Sequence, residues 1–167
     1  ARALDDHNRN VPDDILRLTA HNSGIVMVNF YPPYVSDAFR KWNAEEAAEE
    51  ARAKSLFNGR PVGREAAIKA WQAANPAPQV TVATVADHVD HVAKIAGHDH
   101  VGIGGDLDGI GYDEDPPGRN SVTGYPSLFA ELIRRGWSDA DLAKLGRTRA
   151  QWEAMGKWAC FLLMGIK

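Results

Sequence analysis

One nearly continuous apolar run, at residues 24–31, limits the folds open to this chain more than any other feature of its sequence. It reads Gly-Ile-Val-Met-Val-Asn-Phe-Tyr, is rich in β-branched residues, and is ended by Pro32-Pro33. Such a run predicts a strand that is buried on both faces, as in a parallel sheet. A second short run at residues 100–105 predicts another strand of the same kind.

Helical patterns separate and flank the two predicted strands. Pro12 opens the first helix, and Asp13 and Asp14 follow it where carboxylates meet the positive end of the helix dipole. Residues 36–74 are rich in Ala, Glu, Lys and Arg, and they predict a helical insertion that is broken at 58–61. Three more helices are predicted: one capped by Thr81 or Thr84 and closed by Gly97, one over 127–135 that Gly136 ends, and one capped at Ser138.

The alternation of buried strands and helices predicts an α/β fold with a parallel sheet or a (β/α) barrel. Two strands cannot close a barrel, and helices packed on a two-stranded sheet would leave much of their apolar surface uncovered. The 167 residues are enough for one hydrophobic core. We therefore expect this chain to be a piece of a larger α/β protein.

Composition and charge exclude several classes of function. The formal net charge is −3 and no basic run stands out, so no nucleic-acid partner is expected. Cys160 is the single cysteine, which excludes a disulfide or a thiolate zinc site within this chain. The apolar run at 158–166 is shorter than the roughly 20 residues that cross a bilayer, so no transmembrane segment is predicted in this chain. Composition and charge leave the compartment open.

Residues 87–91 read Asp-His-Val-Asp-His and invite a metal-site interpretation. The pair Asp87 and His91, or the pair His88 and His91, could place two ligands on one helical face. The valines of the same helix are expected to occupy its buried face. The better interpretation is therefore that the intervening His and Asp residues form a polar, partly solvated stripe. We assign no metal ligand in this chain, and a metal protein that uses the two histidines stays as an alternative.

Residues 104–109 read Gly-Gly-Asp-Leu-Asp-Gly and follow the second predicted strand. Paired glycines where a buried strand ends allow close approach of a ligand or a backbone, and carboxylates there face the catalytic end of a barrel. Asp106 is therefore the strongest catalytic candidate, and Asp108 lies beside it in sequence. A turn with two solvated aspartates is the structural alternative.

Three further residues are candidates for binding. Arg9 precedes the first helix and could hold a carboxylate through two hydrogen bonds, or it could be a surface cation. Tyr31 and Tyr34 follow the first strand, so they would share a pocket with Asp106 if the two strands are parallel neighbours. Otherwise the tyrosines would cover the end of the core.

Six blocks of this sequence lie in collinear order over residues 1–145: Arg-Asn-Val-Pro-Asp-Asp at 9–14, Met-Val-Asn-Phe-Tyr at 27–31, residues 85–91, residues 101–109, Tyr-Pro-Ser-Leu at 125–128 and residues 131–137. So many ordered blocks are more specific than any single motif. Together they resemble the renal, or membrane, dipeptidase family of zinc peptidases. The insertion at residues 36–74 resembles the bacterial members, so the compartment expected from the resemblance is cytoplasmic or exported in a bacterium.

The resemblance implies the C-terminal part of a (β/α)8 barrel of TIM type that hydrolyses dipeptides with two zinc ions. It places every zinc ligand of the family upstream of Arg9, so this chain alone is expected to be inactive. Residues 1–145 would form a partial barrel domain with the insertion at 36–74, and residues 146–167 a divergent tail. A dipeptide substrate and a homodimer are the partners it implies. The alternative is a non-catalytic α/β interaction or assembly module that needs a partner chain.

The same resemblance assigns roles to individual residues. Arg9 would hold the terminal carboxylate of the substrate. Asp106 would contact the substrate amine or the attacking water and would move a proton to the leaving nitrogen. Asp108, Tyr31 and Tyr34 are expected as further pocket residues.

Overall fold

A computed structural model describes residues 1–105 and 125–147, together with the backbone of residues 159–160. Over these ranges helices and short parallel strands alternate. The helices are α1 (Asp13–His21), α2 (Pro32–Val35), α3 (Asp37–Leu56), α4 (Pro61–Ala74), α5 (Val82–Ala96), α6 (Tyr125–Arg134) and α7 (Asp139–Leu145), and the strands are β1 (Ile25–Asn29), β2 (Val101–Gly105) and β3 (Ala159–Cys160).

The two strands expected from the apolar runs are neighbours in one parallel sheet. Val26 lies opposite Val101, and Val28 lies opposite Ile103. Four of the five residues of β1 are buried, as the run of apolar residues predicts for a strand covered on both faces. The parallel α/β character of the fold is therefore confirmed.

A third strand, β3, was not predicted. It pairs in parallel with β1, with Ile25 opposite Ala159, and gives the sheet the order β2-β1-β3. It falls inside residues 146–167, for which the sequence predicted only a divergent tail. Two paired residues are too few to leave a periodic hydrophobic signal, because a pattern needs at least four alternating positions.

The hydrophobic core forms where α1, α5 and α6 pack beside the sheet. Leu16 of α1, Val89 of α5 and Leu132 of α6 are fully buried in one cluster with Phe30, which follows β1. Burying a side chain of this size contributes about 1.5–3 kcal/mol. The core therefore joins β1 and the residue after it to helices from three separate parts of the chain.

Caps fix the ends of α5, as predicted. Thr81 and Thr84 form a reciprocal capping box, in which each side chain accepts the main-chain N–H of the other residue. Gly97 follows the helix with φ of 94°, a left-handed conformation that glycine adopts at little cost. The helix thus begins and ends where its sequence signals place it.

The predicted insertion is a hairpin of α3 and α4, broken at the predicted residues. The two helices meet through Trp42 and Trp71, whose rings lie 5.9 Å apart. Ala53 is the single buried residue of α3, and no residue of α4 is buried. One short helix was missed: Pro32, expected only to end the strand, begins α2, because proline suits the first turn of a helix.

Candidate functional site

The carboxyl end of β1 turns directly into α2, and this turn carries both predicted tyrosines. The side-chain oxygen of Asn29, the last residue of β1, accepts the main-chain N–H of Tyr31 at 2.7 Å. Tyr34 follows within α2, and its ring centre lies 5.0 Å from that of Tyr31. The asparagine therefore sets the direction in which the two rings leave the sheet.

The loop that precedes α1 is joined to α2 by a buried asparagine. The side-chain amide of Asn10 donates to the carbonyl oxygen of Asp5 at 2.9 Å and to that of Tyr34 at 2.8 Å. The amide uses both its hydrogens in this way, and Asn10 is 7% exposed. Because a buried amide needs such partners, the loop and α2 are held as one unit.

Arg9 lies on this loop, next to Tyr34. The central carbon of its guanidinium group is 5.6 Å from the centre of the Tyr34 ring, which is within the range of a cation–π contact. Among the described residues no carboxylate forms an ion pair with Arg9. Its N–H donors are therefore free, within that part of the chain, to bind a carboxylate through two parallel hydrogen bonds.

His7 supports the same arrangement as a neutral ring. Its Nδ1 accepts the main-chain N–H of Arg9 at 3.1 Å, and its ring centre is 4.7 Å from that of Tyr34. Burial lowers the pKa of His7, and the cationic Arg40, Arg9 and Arg2 act in the same direction. With a pKa below its usual 6.5, the ring is neutral at pH 7 and Nδ1 remains an acceptor.

A narrow cavity lies beside this group. It is bordered by Arg9, Asn10, Asn29 and Tyr34, and by residues of the core such as Val92. The free space is about 20 Å³, which is enough for a single water molecule and too little for a dipeptide. The described residues that border this cavity therefore do not enclose a space of dipeptide size there.

The structure brings together three of the five predicted site residues: Arg9, Tyr31 and Tyr34. Asp106 and Asp108 lie outside the described residues. Gly105, which precedes Asp106 in the sequence, is the register partner of Asn29 across β1 and β2. A pocket shared by Asp106 and the two tyrosines stays a prediction.

Three residues of the site were missed at the level of sequence: His7, Asn10 and Asn29. Asn29 is the only polar residue in the run that predicted β1. A polar side chain in a buried strand needs a hydrogen-bond partner, so this asparagine was a detectable signal. His7 and Asn10 leave no such signal, because their importance arises from contacts with α2.

The residues at 87–91 have protein partners. His91 Nε2 lies 2.7 Å from the Asp13 carboxylate, and His88 Nδ1 lies 2.6 Å from the main-chain nitrogen of Ala1. Burial lowers the pKa of His88 to about 3. The interpretation as a partly solvated stripe is wrong for His88, which is 2% exposed, because α1 and the loop before it cover this part of α5.

Asp87 and Asp90 form an ion-pair network with Arg135, just after α6. Arg135 Nη1 lies 2.7 Å from a carboxylate oxygen of each, and its Nε lies 2.8 Å from Glu131. Trp137 donates its indole N–H to Asp90 at 2.6 Å. This network ties α6 to α5.

Replacing Arg135 by methionine is expected to lower the free energy of unfolding by about 2 kcal/mol, because it leaves three carboxylates without their shared cation in a site where Arg135 is 19% exposed. Urea titration of the variant and the wild type measures this difference. Arg134→Met is the matched control, since Arg134 binds the same Glu131 but is 71% exposed, and we expect a much smaller loss for it because solvent screens exposed ion pairs. Equal losses for the two variants would contradict the proposed strength of the network.

The described residues contain neither a metal-binding cluster nor a membrane-spanning helix. In residues 1–105 and 125–147, no three His, Cys, Asp or Glu side chains are grouped so that they could hold a metal ion. None of the helices in these ranges is both long and apolar enough to cross a membrane.

Comparison with known proteins identifies the family. The model of the membrane dipeptidases, peptidase family M19, matches residues 1–150. The chain belongs to this family. An uncharacterized dipeptidase of Schizosaccharomyces pombe is 34% identical over 147 residues, which is 87% of this chain and 26% of that protein. The dipeptidase aclJ of Aspergillus oryzae is 35% identical over 142 residues, or 85% of this chain and 24% of that protein.

Solved structures show the same fold. The probable dipeptidase PvdM of Pseudomonas aeruginosa has a TM-score of 0.61 and 29% identity, covering 86% of this chain and 40% of that one. A metallopeptidase of Rhodobacter sphaeroides, liganded with a phosphinate mimic of the dipeptide L-Ala-D-Ala, has a TM-score of 0.60 and 23% identity, covering 92% and 32%. The chain spans about a quarter of the length of the two curated relatives above.

Proposed function

We propose that this M19 chain supplies the substrate-binding and proton-transfer residues of a zinc-dependent dipeptidase and corresponds to the C-terminal part of its (β/α)8 barrel. The observation that carries the proposal is Arg9, whose guanidinium group lies over Tyr34 beside the carboxyl end of β1 and is unpaired among the described residues. The carboxyl ends of the strands are where barrel enzymes bind their substrates. Two curated relatives named as dipeptidases support the same reaction.

Arg9 would make the site selective for dipeptides that have a free C-terminal carboxylate. A guanidinium group binds a carboxylate through two parallel charge-assisted hydrogen bonds, so it recognises the C-terminal carboxylate of a dipeptide. The Tyr34 ring and the His7–Arg9 hydrogen bond limit where the guanidinium group can go. A longer peptide has an uncharged amide at the equivalent position and loses these bonds.

In this proposal the residues that bind the zinc lie outside the described part of the chain. The described residues contain no group of three side chains that could bind a metal ion. Asp87 and Asp90 already bind Arg135, and His91 already binds Asp13. They do not fit a zinc site. We therefore derive no step through the metal and place its ligands in the remainder of the full-length protein.

The experiment is an assay of the full-length protein with dipeptides and with the corresponding dipeptide amides. We expect hydrolysis of dipeptides that a chelator abolishes and zinc restores, and about 100-fold weaker hydrolysis of the amides, because the amides lack the charge that Arg9 binds. We expect no hydrolysis by residues 1–167 alone. Absence of cleavage by the zinc-loaded full-length protein, or zinc-dependent cleavage by residues 1–167, would contradict the proposal.

A further inference from the structure

A buried carboxylate that has no hydrogen-bond partner in the described part of the chain lies at the start of the loop that carries Arg9. The side chain of Asp5 is 1% exposed, and neither of its oxygens has a hydrogen-bond partner among the described residues. Burial raises the pKa of Asp5, whereas Arg40 lowers it. Since an isolated buried charge is strongly unfavourable, this carboxylate depends on a nearby cation.

Arg40 of α3 is that cation. Its Nε lies 3.7 Å from Asp5 Oδ1 and is itself buried without a hydrogen-bond partner in the described part of the chain. The far end of the guanidinium group binds Asp37, one turn earlier in the helix. The first turns of α3 therefore hold the Arg40 cation against Asp5, although the rest of the hairpin is largely exposed.

The main chain of Asp5 links this ion pair to the substrate site. Its carbonyl oxygen accepts the N–H of His7 at 2.8 Å and the side-chain amide of Asn10 at 2.9 Å. Asn10 also binds the carbonyl oxygen of Tyr34, and His7 accepts the N–H of Arg9. The loop at residues 5–10 is thus closed around Asp5, and a displacement of Asp5 would move both partners of the Arg9–Tyr34 contact.

We infer that Arg40 and Asp5 are positioning residues, which hold Arg9 and Tyr34 in the geometry that binds the substrate carboxylate. This inference rests on the function proposed above. It assigns the inserted hairpin a role in substrate binding, because the hairpin supplies Arg40. The inference gives neither residue a contact with the substrate, and the pair acts only through the loop and α2.

The test compares substrates with and without a terminal carboxylate in the full-length protein. Arg40→Met is expected to lower kcat/KM for a dipeptide about tenfold, mainly through a higher KM, because it misplaces Arg9. The same variant should change kcat/KM for the dipeptide amide less than about twofold, since the amide does not use the Arg9 charge. Arg40→Lys, which keeps the charge, should restore most of the lost discrimination.

Arg52→Met is the matched control, because Arg52 lies on the same helix and pairs with Glu49 at 2.5 Å on the exposed surface. It should leave both substrates unchanged. In an Asp5→Asn background, Arg40→Met should cost less than in the wild type, because the two residues act as a pair. Thermal unfolding of each variant verifies that it is folded.

The outcomes separate this inference from the proposed function. If the wild type cleaves dipeptides but Arg40→Met lowers the dipeptide and the amide equally, or behaves like Arg52→Met, the positioning role is wrong. If Arg40→Met alone does not fold, the double variant Asp5→Asn/Arg40→Met is assayed with both substrates instead, and the same two outcomes apply. If the zinc-loaded wild type cleaves no dipeptide, the proposed function itself fails, and the inference fails with it.

Discussion

Arg9→Met is expected to lower kcat/KM of the full-length protein for dipeptides about 100-fold. A charge-assisted hydrogen bond contributes about 1.5–3 kcal/mol, and a loss of about 2.7 kcal/mol corresponds to a factor of 100. The bonds hold the substrate in both the ground state and the transition state, so most of the loss should appear in KM. Steady-state kinetics with a dipeptide and its amide measure this effect.

A lysine at position 9 separates the contribution of the guanidinium geometry from that of the positive charge. Arg9→Lys keeps the charge but cannot form two parallel bonds, so we expect an intermediate loss of about tenfold. Arg17→Met removes an exposed arginine of α1 and should have no effect. If Arg9→Met affected the dipeptide and the amide equally, Arg9 would not be the residue that binds the carboxylate.

Local signals in this sequence were sufficient for most of the fold. The β1 run and the Thr81–Gly97 signals act within a few residues, so the strand and α5 lie where the pattern predicts them. β3 could not be predicted, because its two residues pair with a strand more than a hundred positions away in the chain. α2 could not be predicted either, because four residues are too short for helical periodicity to emerge.

The candidate site was predictable only in part, for a physical reason. Arg9 and Tyr34 carry their chemistry in their side chains, so residue type and position along the chain suffice to nominate them. Asp5, His7 and Asn10 act through contacts between the loop and α2, and such contacts leave no pattern in one sequence. Arg40 is concealed further, since its residue type in a charged helix predicts an exposed side chain.

The histidines at 88 and 91 show the opposite case, in which residue types suggest more chemistry than the structure provides. His91 binds the carboxylate of Asp13, and burial keeps His88 neutral by lowering its pKa to about 3. A group with that pKa carries no charge at neutral pH, and the partner of His88 is the main-chain nitrogen of Ala1. The His91–Asp13 pair is the contact of the two histidines that joins α5 to α1. Residue type alone therefore cannot separate a metal ligand from a buried structural histidine.

Asp106→Asn is expected to have a larger effect on turnover than any other substitution considered for this chain. In the proposed reaction a water oxygen bonds to the peptide carbonyl carbon, the C–N bond breaks, and Asp106 carries a proton from the water to the leaving nitrogen. Asparagine has the same shape but cannot carry that proton. General acid–base catalysis contributes about 10²–10⁴ in rate, so we expect kcat to fall about 1,000-fold with KM changed only a few-fold.

The pattern of kinetic constants distinguishes Asp106 from the binding residues. Arg9→Met should raise KM with a modest change in kcat, whereas Asp106→Asn should lower kcat and kcat/KM together. Asp108→Asn is the comparison within the same segment, and as a pocket residue it should lose less than about tenfold, through KM. If Asp106→Asn kept more than a tenth of wild-type kcat while Asp108→Asn abolished turnover, the proton carrier would be Asp108. The two variants are sufficient to assign the proton carrier to Asp106 or to Asp108, because each replaces one carboxylate by an amide of the same size.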